Sequence, residues 1–315
     1  MIAFMFPGQG AQKVGMGRAL ADAYPEARAV FEEADAAFAD ADRPSAAIST
    51  LCFDGPEDRL ALTEITQPAI LTTSIAAYRV LEAQGIRPAF VAGHSLGEYS
   101  ANVAAGTFAF GDAVRVVRRR GRYMQEAVPV GVGAMAAILG ASLETVRRAC
   151  EEVAEGEIVS PANINGQSQV VIAGHAAAVR RASERAKALG AKIALPLPVS
   201  APFHCALMAP AEERLEPELR RLTTEDPRVP VVANVDASPK TDARSAIDAL
   251  VRQVSAPVQW DAVVRRLASE GVTTYVEVGP GTVLSGLVRK IHAGARITNF
   301  GSPDDLGAVM AACSI

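Results

Sequence analysis

The chain has 315 residues, 50% of them hydrophobic and 21% charged, enough to bury a sizeable core as one large domain or as a domain carrying an insertion. A formal charge of −4 argues against nucleic acid and against an anionic membrane surface as the default partner. The apolar start Met1–Phe6 stops at Pro7-Gly8, too short for a signal peptide, and no run is long enough to span a bilayer, so a cytoplasmic protein is expected. Cys52, Cys150, Cys205 and Cys313 show neither Cys-x-x-Cys spacing nor clustering with histidine; they read as small buried hydrophobes, with no metal site.

In chain order, Ile2 to Phe6 reads as a buried strand that breaks at Pro7-Gly8-Gln9-Gly10 before a helical segment carrying Met16 and Leu20. Gly8-x-Gly10 lacks the third glycine of a dinucleotide fingerprint, since Lys13 stands there. A glycine-flanked turn can instead free the Gln9 N–H to face a developing oxyanion, or serve only as a turn. Residues 25–62 read as helices and polar connections. Pro68 then opens a helix over 69–83 that Gly85 ends.

Strand 89–92 follows and runs into Gly93-His94-Ser95-Leu96-Gly97, a Gly-x-Ser-x-Gly turn between strand and helix. This is the pattern of a nucleophile elbow, and it makes Ser95 the candidate nucleophile. Gly111-Asp112 is expected to cap the next helix. At 100° per residue, Ala113, Val116, Val117, Tyr123, Met124 and Ala127 share one face, and Arg115, Arg118, Arg119, Arg122, Gln125 and Glu126 the other. Arg120 falls in the apolar stripe. A cation there needs an anionic partner, either a carboxylate of the protein or one brought by a substrate.

From Gly133 the order strand, helix, strand, strand, helix, strand predicts a ferredoxin-like unit with strands at 134–139, 157–162, 169–173 and 192–197 and helices at 143–153 and 177–189. Asn163 and Asn165 fall in a loop of that unit, where Asn163 could line a cleft and Asn165 is explained by turn chemistry. Of four histidines, His94 lies inside the elbow and His175 and His292 in polar contexts that look solvent-exposed. His204, after Ala201-Pro202-Phe203, is the best base. The only aspartate between Ser95 and His204 is Asp112, so a Ser/His dyad is expected, with the imidazole oriented by a carbonyl or amide. The remaining chain predicts a strand at 229–235, helices at 246–254, 260–268 and 283–291, and strands at 274–278 and near Ile297.

Phe6-Pro7-Gly8-Gln9-Gly10, Thr66-Gln67-Pro68-Ala69, Gly93 to Tyr99, Arg120-Gly121, Leu195 to Ser200 and Glu277-Val278-Gly279-Pro280-Gly281 together resemble the malonyl-CoA:acyl carrier protein transacylase family over nearly the whole chain. The resemblance implies an α/β-hydrolase-like core with a parallel sheet, residues 1–128 and 199–315, and an inserted ferredoxin-like (βαββαβ) subdomain, residues 129–198. It also implies Ser95 as nucleophile, His204 as base, the N–H groups of Gln9 and Leu96 as oxyanion hole, Arg120 as the ligand of the acyl carboxylate, and the Gln253 main-chain carbonyl as the group orienting His204. Phe203, Asn163 and Met124 join Arg120 as substrate-binding candidates, and Phe203, bulkier than its counterpart in relatives taking branched acyl groups, implies malonyl over methylmalonyl.

The expected partners are malonyl-CoA and acyl carrier protein, in fatty acid biosynthesis, with no nucleic acid, no membrane, no cofactor and a monomeric enzyme. Carriers are acidic as a class, so the arginine face around Arg118 and Arg119 is either a docking surface or a solvated helix face. A discrete acyltransferase loading polyketide carriers is the alternative reading, and a serine thioesterase the second.

Overall fold

The computed structural model describes residues 1–39, 46–199 and 201–313. Ten strands form two sheets: β1 (Ile2–Phe6), β2 (Phe90–Gly93), β3 (Gly133–Leu139), β4 (Val159–Gly166), β5 (Gln169–His175), β6 (Ile193–Pro196), β7 (Val231–Val232), β8 (Pro239–Lys240), β9 (Thr274–Val278) and β10 (Arg296–Phe300). The larger sheet runs β10-β9-β1-β2-β7-β8, parallel except for β8. Helices cover both faces, which is why β1 is apolar throughout and β9 is buried at every residue, its Glu277 included.

The second sheet, β4-β5-β3-β6, is antiparallel throughout. Numbered within that unit, its order is the 2-3-1-4 of a ferredoxin-like fold. Helices Leu143–Glu152 and Ala176–Ala188 pack on one face, bringing Val146 and Val179 onto a core with Ile138, Val170 and Ile172. Met135, Val171 and Ala173 turn the other way, into the main core. Val258, just before helix Trp260–Ser269, ties the second sheet to the main body: its N–H donates to Ala162 O at 2.9 Å and its carbonyl accepts from Ile164 N–H at 2.8 Å.

Several elements differ from expectation, each for a local reason. The helix holding Pro68 spans Thr63–Ala83, with Pro68 its sixth residue. Proline forfeits one backbone bond there, but the helix is buried on nearly every side and that burial outweighs the loss. Met16 lies in turns before the helix Arg18–Ala23. Helix Phe110–Glu126 begins with Ala109 as its cap, so Asp112 does not cap it; Asp112 sits in the first turn and pairs with Arg115 at 2.7 Å. β7 is only two residues because Asn234, expected to continue it, gives its N–H to the Glu98 carboxyl.

Asn163 and Asn165 lie within β4 and not in a loop. His175 and His292 are half-buried and not solvent-exposed. His175 Nδ1 accepts from Ile158 N–H at 2.9 Å, and His292 Nδ1 meets the Tyr275 hydroxyl at 3.1 Å. Helices Ala209–Arg220, which holds Pro210 and Pro217, and Leu306–Cys313 went unforeseen. Residues 40–45, part of the stretch read as helices and connections, and Ser200, the end of one family motif, lie outside the described residues. Among the described residues no helix is long and apolar enough to cross a membrane.

Candidate active site

The site assembles where the C-terminal ends of β1, β2 and β7 meet, because parallel strands deliver their following loops to one edge of the sheet. Phe6 is in register with Gly93, and Ala92 with Val232. The Gly8-Gln9 loop, the elbow and Asn234 therefore converge.

Glycine makes that convergence possible at three positions. A Cβ at Gly93 would stand 1.9 Å from the Gly97 carbonyl carbon, one at Gly97 2.0 Å from Phe6 O, and one at Gly8 2.4 Å from His94 O. Ser95 takes φ 53°, the strained conformation of an elbow, which lifts its hydroxyl off the strand end.

Ser95 Oγ lies 2.7 Å from His204 Nε2. His204 Nδ1 lies 2.9 Å from the Gln253 main-chain carbonyl. A carbonyl only accepts, so Nδ1 carries the proton and Nε2 is left as the acceptor facing the serine. His204 itself has φ 61°, and Cys205 turns aside, its Sγ donating to Pro202 O at 3.1 Å. Neither the Gln9 nor the Leu96 N–H has a protein acceptor among the described residues, so both can serve an oxygen in the cleft.

Burial, reinforced by the Arg120 charge, pushes the His204 imidazole down to about 3. The ring thus stays neutral where a free imidazole would titrate, and ¹⁵N spectra should hold the Nδ1–H tautomer between about pH 8 and 5. A titration near pH 6.5 would contradict this. An imidazole barred from protonation lowers stability as pH falls from 6.5 toward 3, because the unfolded chain binds the proton that the fold excludes. Glu98, raised by burial to about 7, acts in the opposite sense between 7 and 4.5, so the two partly offset.

Arg120 is 1% exposed. The acceptors around it are neutral: Gln67 Oε1 and Gln253 Oε1 at 2.8 Å each, and Ser95 Oγ at 3.3 Å. Its guanidinium carbon lies 5.3 Å from the centre of the Tyr99 ring. Among the described residues no carboxylate forms an ion pair with Arg120. Amide oxygens orient the fork without cancelling its charge, which leaves it able to take a carboxylate.

A cleft of about 130 Å³ is lined by Gln9, Ser95, Arg120, Met124, Asn163, Phe203 and His204 among others. Phe203, 9% exposed, thus faces the cleft. Leu96 and Gln253 are not among the residues that line it. Asn165, read from the sequence as a turn residue, instead accepts from His94 Nε2 at 2.8 Å, tying the elbow to β4, while Trp260 packs 5.6 Å from the His94 ring.

The arginine face is engaged within the chain. Arg118 donates to Phe38 O at 2.9 Å and lies over the Phe38 ring, and Arg119 pairs with Glu218. Reasoning from the sequence missed Glu98, Asn234 and the side chains of Gln67 and Gln253. Glu98 carried one signal, a carboxylate directly after the elbow, and Gln67 its place in the Thr66-Gln67-Pro68-Ala69 motif; the Asn234 and Gln253 side chains gave none, since buried amides resemble loop amides in a sequence.

The acyl transferase domain family matches residues 3–298. The chain is 50% identical over 309 residues to the malonyl CoA-acyl carrier protein transacylase of Escherichia coli K12, covering 98% of each. An acyl carrier protein S-malonyltransferase from Vibrio cholerae superposes with a TM-score of 0.94 at 45% identity, covering 98% of this chain and 99% of that one. A malonyl-transacylase solved in complex with a type II polyketide acyl-carrier protein gives 0.94 at 44%, covering 99% and 98%. The parallel core, the antiparallel second sheet and the full-length likeness agree: the chain belongs to the acyl transferase domain family and, within it, to the malonyl-CoA:acyl carrier protein transacylases.

Proposed function

We propose that this protein moves a malonyl group from malonyl-CoA to the phosphopantetheine thiol of an acyl carrier protein by a two-step, ping-pong route. Ser95 Oγ, giving its proton to His204 Nε2, attacks the thioester carbonyl. The tetrahedral oxyanion is met by the Gln9 and Leu96 N–H groups, and coenzyme A leaves as the thiol with the proton from His204. The carrier thiol then gives a proton to His204 and attacks the malonyl-serine ester, and Ser95 recovers its proton as the thioester forms. The two steps need no metal or redox cofactor.

The observation that carries this reading is a buried guanidinium with neutral acceptors, 3.3 Å from the nucleophile oxygen. A thioesterase for neutral acyl chains gains nothing from it. Intact-mass analysis after mixing with malonyl-CoA should show a malonyl adduct that holo carrier protein discharges; release of free malonate without an adduct would favour the hydrolase. One relative is named for an acyl carrier protein and another was solved with a type II polyketide acyl-carrier protein, which supports a carrier of either pathway as acceptor.

Phe203 beside His204 restricts the space next to the acyl α-carbon. Phe203→Ser should raise the methylmalonyl to malonyl ratio of kcat/KM by about tenfold or more, the scale of one methyl group in a fitted apolar pocket. A ratio unchanged in competition assays would remove Phe203 from acyl selection.

A further inference from the structure

Both polar groups of the Ser95 peptide are met by side chains from far along the chain, and the carbonyl also accepts from Glu98 N–H at 3.0 Å. Ser95 N–H donates to Asn234 Oδ1 at 2.7 Å, and Ser95 O accepts from Gln253 Nε2 at 2.9 Å. Asn234 Nδ2 also donates to Gly93 O at 2.7 Å, so one amide clasps the elbow at two points.

Both amide residues are held by one carboxyl. Glu98 Oε2 accepts from Asn234 N–H at 3.0 Å and from Gln253 Nε2 at 2.7 Å. Glu98 stands in the first turn of the elbow helix, is 1% exposed, and has no part in the transfer steps above. An amide side chain is nearly symmetric in shape, and its orientation is decided by what each end faces. The carboxyl oxygen draws Nε2. The guanidinium, which only donates, takes Oε1: Arg120 reaches Gln253 Oε1 at 2.8 Å. The same residue's main-chain carbonyl receives His204 Nδ1–H. Oε2 can accept whether the carboxyl is ionised or neutral, so the arrangement does not depend on its titration.

We propose that Glu98 is a positioning residue for acyl transfer: by fixing Asn234 and the Gln253 amide it sets the Ser95 peptide, aims the Arg120 guanidinium into the cleft and seats the residue whose carbonyl holds His204. The inference rests on the roles assigned above to Ser95, His204 and Arg120. Its distinguishing consequence is acyl-dependent. Disturbing Ser95 and His204 slows every acyl group, whereas a misaimed Arg120 costs only those that carry a carboxylate.

The test compares wild type with Glu98→Met, which keeps length but removes the acceptor, and Glu98→Gln, whose amide oxygen can accept both bonds. kcat and KM are measured for malonyl-CoA and acetyl-CoA well below each melting temperature. Glu98→Met should lose about 10²-fold in kcat with malonyl-CoA, the scale of a misplacement near 1 Å, and distinctly less with acetyl-CoA. Glu98→Gln should return to within about tenfold of wild type, as an acceptor-preserving change should. Glu98→Asp, which withdraws the carboxyl by one methylene, should repeat the malonyl-weighted loss in milder form and carries the test if the Met protein does not fold.

Equal losses for both acyl groups, a near-wild-type kcat in folded Glu98→Met or Glu98→Asp, or a folded Glu98→Gln no better than Met would each overturn the proposal. Wild type failing to form malonyl-serine would instead overturn the underlying reading of the site.

Discussion

Ser95→Ala is expected to abolish the malonyl adduct and to lower transfer by roughly 10⁵- to 10⁶-fold, the scale seen when the nucleophile of a serine acyl enzyme is removed. The fold should survive. Among the described residues the Ser95 hydroxyl hydrogen-bonds only His204 Nε2 and an Arg120 nitrogen, while the peptide around it is fixed by Asn234 and Gln253, which a change of side chain leaves in place. Alanine also carries no greater penalty than serine at φ 53°, since both have a Cβ and no further branch. Intact mass and thermal unfolding check the two halves together. An adduct persisting on Ser95→Ala would place the nucleophile elsewhere, and a collapsed melting temperature would show that the hydroxyl is structural.

Arg120→Ala should change which acyl group is preferred. The malonyl carboxylate would enter a cleft whose cation is gone, at a cost of roughly 2–5 kcal/mol, the range for truncating one partner of a buried charge pair. Acetyl has no carboxylate and escapes that loss. The variant leaves the oxygens of Gln67 and Gln253 without their donor and opens a cavity, but those costs fall on both thioesters alike. The ratio of malonyl to acetyl kcat/KM is thus the quantity to read, by competition assay, and a ratio equal to wild type would refute the role of the cation. The same change removes a charge that holds the His204 imidazole down, so the His204 titration should move upward toward its ordinary value.

The family resemblance implied the oxyanion N–H groups of Leu96 and Gln9 and the Gln253 carbonyl at His204; the structure puts that carbonyl 2.9 Å from Nδ1. The amide side chains of Gln253 and Asn234 gave no comparable signal, and Gln67 gave only its place in a family motif with no role attached. Their partners lie 158, 139 and 53 residues away, and an amide is equally at home in a turn, on a surface or in a core.

What the sequence determined by itself is what local chemistry enforces. Glycines at 93 and 97 around a serine demand a sharp strand-to-helix turn, because any Cβ there would collide with backbone. The periodicity of residues 113–127 fixes the buried face of a helix and so exposes the anomaly of Arg120, and the alternation of strands and helices gives the ferredoxin-like order of 133–196.

Only the tertiary structure decided where that buried cation finds its acceptors, that Asn165 belongs to the elbow and not to a turn, and that the arginines at 118 and 119 are already engaged. Each is a contact between segments distant in the chain. The energy of such a contact depends on desolvation and on the geometry of a partner that pattern and propensity, being local, do not encode.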